Sequence, residues 1–156
     1  MDRSDDQRFM REALRLAEHA AREGEIPVGA VLVMDNTIVG RGANQTIALN
    51  DCTAHAEIMA LRDAGARLNQ HRFADATLYC TLEPCAMCAG AMLHARIARL
   101  VIAADDPKAG AAGSVLDVLD LPALNHRVLL SSGLMEEEAS ALLTTFFARR
   151  RDCSRG

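Results

Sequence analysis

Apolar residues recur at helical spacing from Phe9 through Ala13, Leu16, Ala17 and Ala20, with Ser4 or Asp5 available as caps and Gly24 as a stop. The stretch GAVLVMDNTIVGRG (29–42) predicts two strands folded about an Asp35-Asn36 turn. Thr53 to Ala64 reads as a helix ending at Gly65. ATLYCTL (76–82) reads as a strand, Cys85 to His94 as a helix and RLVIAA (99–104) as another strand. DDPKAGAAGS (105–114), rich in turn-formers and small residues, predicts a loop. VLDVLDL (115–121) suggests a short helix, RVLLSS (127–132) a last strand, and Met135 to Arg151 a final helix.

Strand, helix, strand, helix, strand in mid-chain implies right-handed crossovers and a largely parallel sheet core, which the opening hairpin makes mixed. Neither repeat nor linker interrupts the pattern, so one domain over residues 1–156 is expected. Half of the residues are hydrophobic. A chain of this size buries enough surface to fold without a metal or disulfide staple. Aromatics are 3% and Trp is absent, so Ala, Leu, Val, Ile and Met must fill the core.

The formal charge of −4 argues against a surface that coats nucleic acid throughout, while leaving room for a local basic site. Five cysteines (Cys52, Cys80, Cys85, Cys88 and Cys153) form an odd set without a secreted-scaffold rhythm. The N-terminal MDRSDDQRFM lacks a basic start and an apolar core, and no stretch is long enough to span a bilayer. A reducing, cytoplasmic compartment is expected, where paired cysteines are read as metal-binding or catalytic before disulfide.

Two segments carry the chemistry, TAHAE (53–57) and LEPCAMC (82–88). Each precedes or opens a helix after a strand-like segment, which brings both helix N-termini to one edge of the sheet. Cys85 and Cys88 are three apart and share a helical face. A helix N-terminus and a metal both favour the thiolate that zinc binds. Pro84 suits the helix start, where a missing N–H costs nothing. His55, Cys85 and Cys88 give three protein ligands, the number that leaves zinc a fourth position for water. Glu57, two residues from His55, is then placed to act on that water without ligating.

Each residue taken singly has a plainer reading. His55 could be a helix-start histidine, Glu57 a first-turn carboxylate serving the helix dipole, and the two cysteines small core residues. A closed structural site of Cys52, His55, Cys85 and Cys88 is a further alternative, although it would leave Glu57 without a task. The joint pattern favours the open, catalytic arrangement. His19, His71 and His94 read as surface or packing residues, and Cys80 and Cys153 as incidental.

These segments resemble the cytidine/deoxycytidylate deaminase superfamily, whose signature is H-x-E followed by P-C-x-x-C. IPVGAVLV (26–33), Asn44, TAHAEIMALR (53–62), ATLYCTLEPCAMCAGAM (76–92), AGAAGS (109–114) and NHRV (125–128) are similar to its bacterial tRNA-specific adenosine deaminase branch, over about Phe9 to Arg151. That resemblance implies a three-layer α/β/α sandwich with a mixed five-stranded sheet, one zinc per chain and a homodimer. It also implies conversion of the wobble adenosine of a tRNA anticodon loop to inosine by zinc-bound hydroxide, with Glu57 shuttling protons. Asn44 matches the family residue that hydrogen-bonds the purine; read alone, it is equally a turn-forming Asn at a strand end.

RNA contacts are less visible. Basic candidates are Lys108, His126, Arg127, Arg149, Arg150 and Arg151, the last three also reading as helix C-terminal charge compensation. Phe146 and Phe147 are candidates for stacking, but core or dimer packing is the expected role. The sequence departs from the family in three places: Cys52 stands where proline is common, Asp105-Asp106-Pro107 is unusually acidic, and Ala109 replaces a frequent threonine.

Overall fold

The computed structural model describes residues 2–156. Its elements run α1 (Arg3–Arg22), β1 (Gly29–Met34), β2 (Thr37–Ala43), α2 (Ala56–Leu68), β3 (Thr77–Leu82), α3 (Ala86–Ala95), β4 (Arg99–Ala104), β5 (Leu129–Ser131) and α4 (Glu136–Ser154). The β1–β2 connection has positive φ at both Asp35 and Asn36, the twist that suits a two-residue hairpin turn.

The sheet order is β2-β1-β3-β4-β5. β1 is antiparallel to both neighbours, while β3, β4 and β5 are mutually parallel. Hence β2, β3, β4 and β5 share one direction and β1 alone is reversed. Its start therefore lies at the edge where the other strands end: Gly29 pairs with Ala43, and Ala30 with Cys80. Five chain segments meet at this edge, namely 23–28, 44–55, 83–85, 105–114 and 132–135.

Alternation along the strands separates two cores. Ala30, Leu32, Leu78, Cys80, Leu100 and Ile102 pack with Ala56, Ala60 and Ala64 of α2 and with Cys88, Ala89 and Met92 of α3. Val31, Val33, Tyr79, Val101 and Ala103 pack with Phe9, Met10, Ala13 and Leu14 of α1 and with Ala139 of α4. The result is the expected three-layer sandwich.

On the α2 side the layers touch backbone to backbone. A Cβ at Gly42 would lie 2.1 Å from the carbonyl oxygen of Ala56, and one at Gly40 would lie 2.3 Å from that of Ala60. With Ala56, Ala60 and Ala64 facing them, these glycines let α2 lie directly on β2. On the other side, Asp6 accepts from Arg99 Nη1 and Nη2 at 3.0 and 2.9 Å and from the Tyr79 hydroxyl at 2.6 Å. That network ties α1 to two central strands.

Several boundaries differ from the sequence reading. Residues 115–121 form no helix, because the Val115 and Leu116 amides donate to Gly110 O and the Val118 amide to Ala111 O instead of into an i−4 ladder. α1 starts at Arg3 behind Asp2, so neither Ser4 nor Asp5 caps it. α2 starts at Ala56, because Thr53 is held in a turn by the Asp51 carboxylate. It passes Gly65 and ends at Asn69, whose φ of 53° leaves the helical region. β5 is three residues long and α4 runs on to Ser154.

Candidate metal centre and its flanking loops

The N-cap of α2 is His55 and the N-cap of α3 is Cys85, both in extended backbone conformation. Neither side chain caps its own helix, so both are available to a ligand. His55 Nδ1 stands 3.6 Å from Cys85 Sγ and 3.5 Å from Cys88 Sγ. A tetrahedral zinc with Zn–S about 2.3 Å and Zn–N about 2.0–2.1 Å would hold N and S about 3.6 Å apart. The donors are thus spaced for that ion, and their N,S₂ chemistry suits it. Cys52 is exposed and stands outside this cluster, so among the described residues the group has three donors, not four.

The Cys85 thiol is lowered to about 5, chiefly because the Cys88 thiol donates to it, helped by the Cys88 backbone N–H and by His55. The Cys88 thiol is pushed up by the same bond and by burial. Glu57 is 4% exposed, and burial raises its carboxyl above the usual range despite its own backbone N–H and the Cys88 thiol. Cys80 of β3, wholly buried, lies against the same carboxyl and its thiol is also pushed up, by burial first and by Glu57 second. A buried carboxyl beside a three-donor cluster is an arrangement able to exchange protons with a bound water.

Residues 3–104 match the family described as the cytidine and deoxycytidylate deaminase zinc-binding region. The chain belongs to that family. A tRNA-specific adenosine deaminase of Haemophilus influenzae is 51% identical over 148 residues, covering 94% of this chain and 86% of the relative. One of Agrobacterium fabrum is 46% identical, covering 92% and 94%. Among solved structures, one from a study of A-to-I editing by tRNA:A34 deaminases at the wobble position superposes with a TM-score of 0.85 at 46% identity, covering 87% of this chain and 99% of the other. A guanine deaminase of Nitrosomonas europaea shares the fold, with a TM-score of 0.80 at 24% identity over 91% of this chain and 84% of its own. The family binds zinc, and His55, Cys85 and Cys88 sit together as a group that could hold it.

Asn44, at the end of β2, is 9% exposed, and its Oδ1 accepts the Ala56 amide at 2.9 Å. It thereby supplies the cap that His55 does not. Glu83, 3% exposed, organises the 105–114 loop: its carboxylate accepts from the Asp106, Ala112 and Ser114 amides and from the Ser114 hydroxyl. Burial alone would raise Glu83, but these donors outweigh it and hold the carboxyl low. Gly110 is required beside it, since a Cβ there would lie 2.3 Å from the carboxylate. Asp106, part of the acidic departure noted above, accepts from the Lys108 and Ala109 amides and so serves the loop's own turn.

The remaining basic candidates are scattered. Lys108 is exposed on the 105–114 loop. His126 Nε2 lies 2.6 Å from Ile97 O, before β4 begins and so at the opposite edge of the sheet from the cluster. Arg127 forms an exposed ion pair with Asp120 at 3.5 Å. Arg149 and Arg150 line a groove of about 850 Å³ between α1 and α4 together with Arg11, Arg15 and Arg22, and Arg151 is exposed beyond them. Phe146 and Phe147 fill no core: Ala139 is the buried residue of α4, Phe147 is 39% exposed, and the two rings meet edge to face at 5.5 Å.

Sequence reasoning passed over Glu83 and Glu25. The signal was a carboxylate directly against apolar residues, inside LEPC for Glu83 and at the head of EIPVG for Glu25, where a charge needs a reason to be buried.

Proposed function

We propose that this chain hydrolyses the 6-amino group of the wobble adenosine in a tRNA anticodon loop, giving inosine and ammonia. The observation that carries the proposal is the triangle of His55 Nδ1, Cys85 Sγ and Cys88 Sγ at zinc spacing with the buried Glu57 carboxyl against one thiol. Identity of 51% to a tRNA-specific adenosine deaminase over 94% of the chain supports the choice of substrate.

His55, Cys85 and Cys88 would hold the zinc, which when bound would lower the pKa of water toward ~7 and so supply a nucleophile at neutral pH. Glu57 would be the group that holds and moves the protons, taking one from the attacking water, passing it to purine N1 and later assisting departure of ammonia. Its burial against the Cys88 thiol keeps it beside the donor cluster where that exchange would take place. Asn44 Oδ1 is committed to Ala56, so its Nδ2 donor is the group that meets a ring nitrogen of the base. A base reaches such a site only when unstacked, and a single-stranded anticodon loop presents one at low cost.

For the RNA beyond the base, Lys108 and the Arg149–Arg151 run are the proposed phosphate contacts. His126 and Arg127, engaged with Ile97 and Asp120, are the weaker members of the expected set. A homodimer is proposed through the outer face of α3. Cys88, Ala89 and Met92 face the sheet, but Met87 is 37% exposed and a Cβ at Gly90 would meet nothing within 4 Å.

The deciding experiment is incubation with an anticodon stem-loop carrying adenosine at the wobble position, read out as inosine, beside free guanine, cytosine and cytidine. Inosine formation with inert free bases is expected. Turnover of a free base without inosine in the stem-loop would overturn the reading.

A further inference from the structure

Glu25 sits between α1 and β1 and is 2% exposed, yet it belongs to neither the metal cluster nor the core. Its Oε1 accepts from the Ile47 and Ala48 amides, both at 2.9 Å, and its Oε2 from the Thr46 hydroxyl at 3.4 Å. Those groups belong to the β2–α2 loop, which leaves the sheet at Asn44 and returns at His55. The loop is pinched at its base by Gln45 N to Ala54 O at 3.0 Å. Within it, Leu49 N donates to Gln45 O and Asp51 N to Thr46 O, so residues 46–50 form a helix-like turn. The first amides of such a turn have no internal partner. Glu25 reaches across from another segment to satisfy two of them.

Apolar packing does not hold this turn. Ile47 is 57% and Leu49 49% exposed, and Ile26, next to Glu25, is 37% exposed. The loop crown is thus an aliphatic surface facing outward, on a loop whose two ends are the proposed base-binding residue and a proposed metal ligand. Burying a carboxylate is costly unless it is fully bonded, and here the bonding goes entirely to one loop. Glu25 can reach that loop because β1 is reversed, which puts the 23–28 segment at the same edge as Asn44.

We propose that Glu25 is a positioning residue for substrate: it fixes the 46–50 turn so that Ile47 and Leu49 form one wall of the cleft that receives the unpaired nucleotides around the target base. The inference rests on the function proposed above. Glu25 touches neither the base nor the metal donors, and it acts on affinity for the RNA loop and not on the chemical step.

The test compares wild type with Glu25→Gln, which keeps the volume but removes the charge and one of the two accepting oxygens, weakening the bonds from the Ile47 and Ala48 amides, and with Glu25→Asp, which keeps the charge on a shorter stem. On the wobble-adenosine stem-loop, E25Q should raise KM at least about ten-fold, with kcat within about three-fold and zinc content unchanged. E25D should recover part of the loss. Amide hydrogen exchange at Ile47 and Ala48 should accelerate at least about ten-fold in E25Q, whereas Ala56, held by Asn44, should not change. Unchanged KM, or kcat and zinc falling together, would overturn the proposal, and if E25Q fails to fold, E25D with both readouts decides it. If wild type forms no inosine, the function reading has failed. The exchange arm then decides the anchoring alone: faster Ile47 and Ala48 exchange sustains it, equal exchange overturns it.

Discussion

The side-chain oxygen of Asn44 accepts the Ala56 amide at 2.9 Å, so the residue proposed to meet the purine also caps the helix that starts beside His55. The two duties use different atoms and are separable. Asn44→Asp keeps the accepting oxygen and removes the donor, so it should retain zinc and melting temperature while losing deamination. Asn44→Ala removes both and should in addition cost about 1 kcal/mol of stability, the usual worth of a helix cap. Thermal melts beside inosine yields test this; an active Asn44→Asp enzyme would confine Asn44 to capping.

Cys85→Ser and Cys88→Ser each remove a thiolate from a three-donor cluster and should abolish the one zinc per chain. Cys52→Ser should keep both zinc and activity, since that thiol is exposed outside the cluster. Metal analysis of the three purified variants checks this. Zinc loss in the Cys52 variant would mean that a fourth donor joins the ion.

Glu57→Ala should keep zinc and fold but lower turnover by about 10²–10⁴, the usual contribution of a positioned general acid–base group. Single-turnover kinetics with zinc-replete protein make the comparison. Turnover within a few-fold of wild type would assign the proton transfers elsewhere.

Acid sensitivity should trace to Asp6. Burial would raise its carboxyl, but the Arg99 and Tyr79 bonds outweigh it and leave the pKa below its ordinary 3.8. The bonds therefore add stability above about pH 4, and that stability is lost as falling pH protonates the carboxylate. At pH 7 Asp6→Asn should be less stable by about 1.5–3 kcal/mol, the range for a hydrogen bond to a charged group, with the gap closing toward pH 3. Urea unfolding of both proteins across that range is the measurement, and a gap independent of pH would exclude the ionic contribution.

Changing Arg149, Arg150 and Arg151 together to Ala should weaken stem-loop binding and flatten its salt dependence by roughly 0.7–0.9 in log–log slope per lost phosphate contact. Zinc content should not change. Identical slopes would remove α4 from the RNA surface and leave Lys108.

What was legible in the sequence is local or periodic. The Asp35-Asn36 hairpin, the alternating strands and the two helix starts that bear His55 and Cys85 all announce themselves within a dozen residues. The metal cluster was legible too, because a strand ahead of each helix start brings residues 30 apart to one edge. What stayed hidden depends on partners remote in the chain. Asp6 is a surface-looking residue of α1 until Arg99, 93 positions on, reaches it. Glu25 and Glu83 looked like ordinary charges because the amides they bind belong to loops with no periodicity. Residues 115–121 alternate as a short helix would, yet their amides are drawn to Gly110 and Ala111. The phenylalanines of α4 looked like core or dimer packing because aromatics are scarce; of these the core is excluded, since that helix buries little beyond Ala139.

The bare glycines of β2 bear on the metal centre as a matter of tolerances. His55 rides on the helix that rests against Gly40 and Gly42, whereas Cys85 and Cys88 ride on α3, over other strands. The gap between nitrogen and sulfur is therefore set by how α2 sits on β2 and how it meets α3. A single methyl group at position 42 has no room, and the helix that would have to lift is the one that starts beside His55 and carries Glu57. The nitrogen would then move against the two sulfurs, so the spacing of the three donors depends on a hydrogen atom standing where any other residue has a carbon.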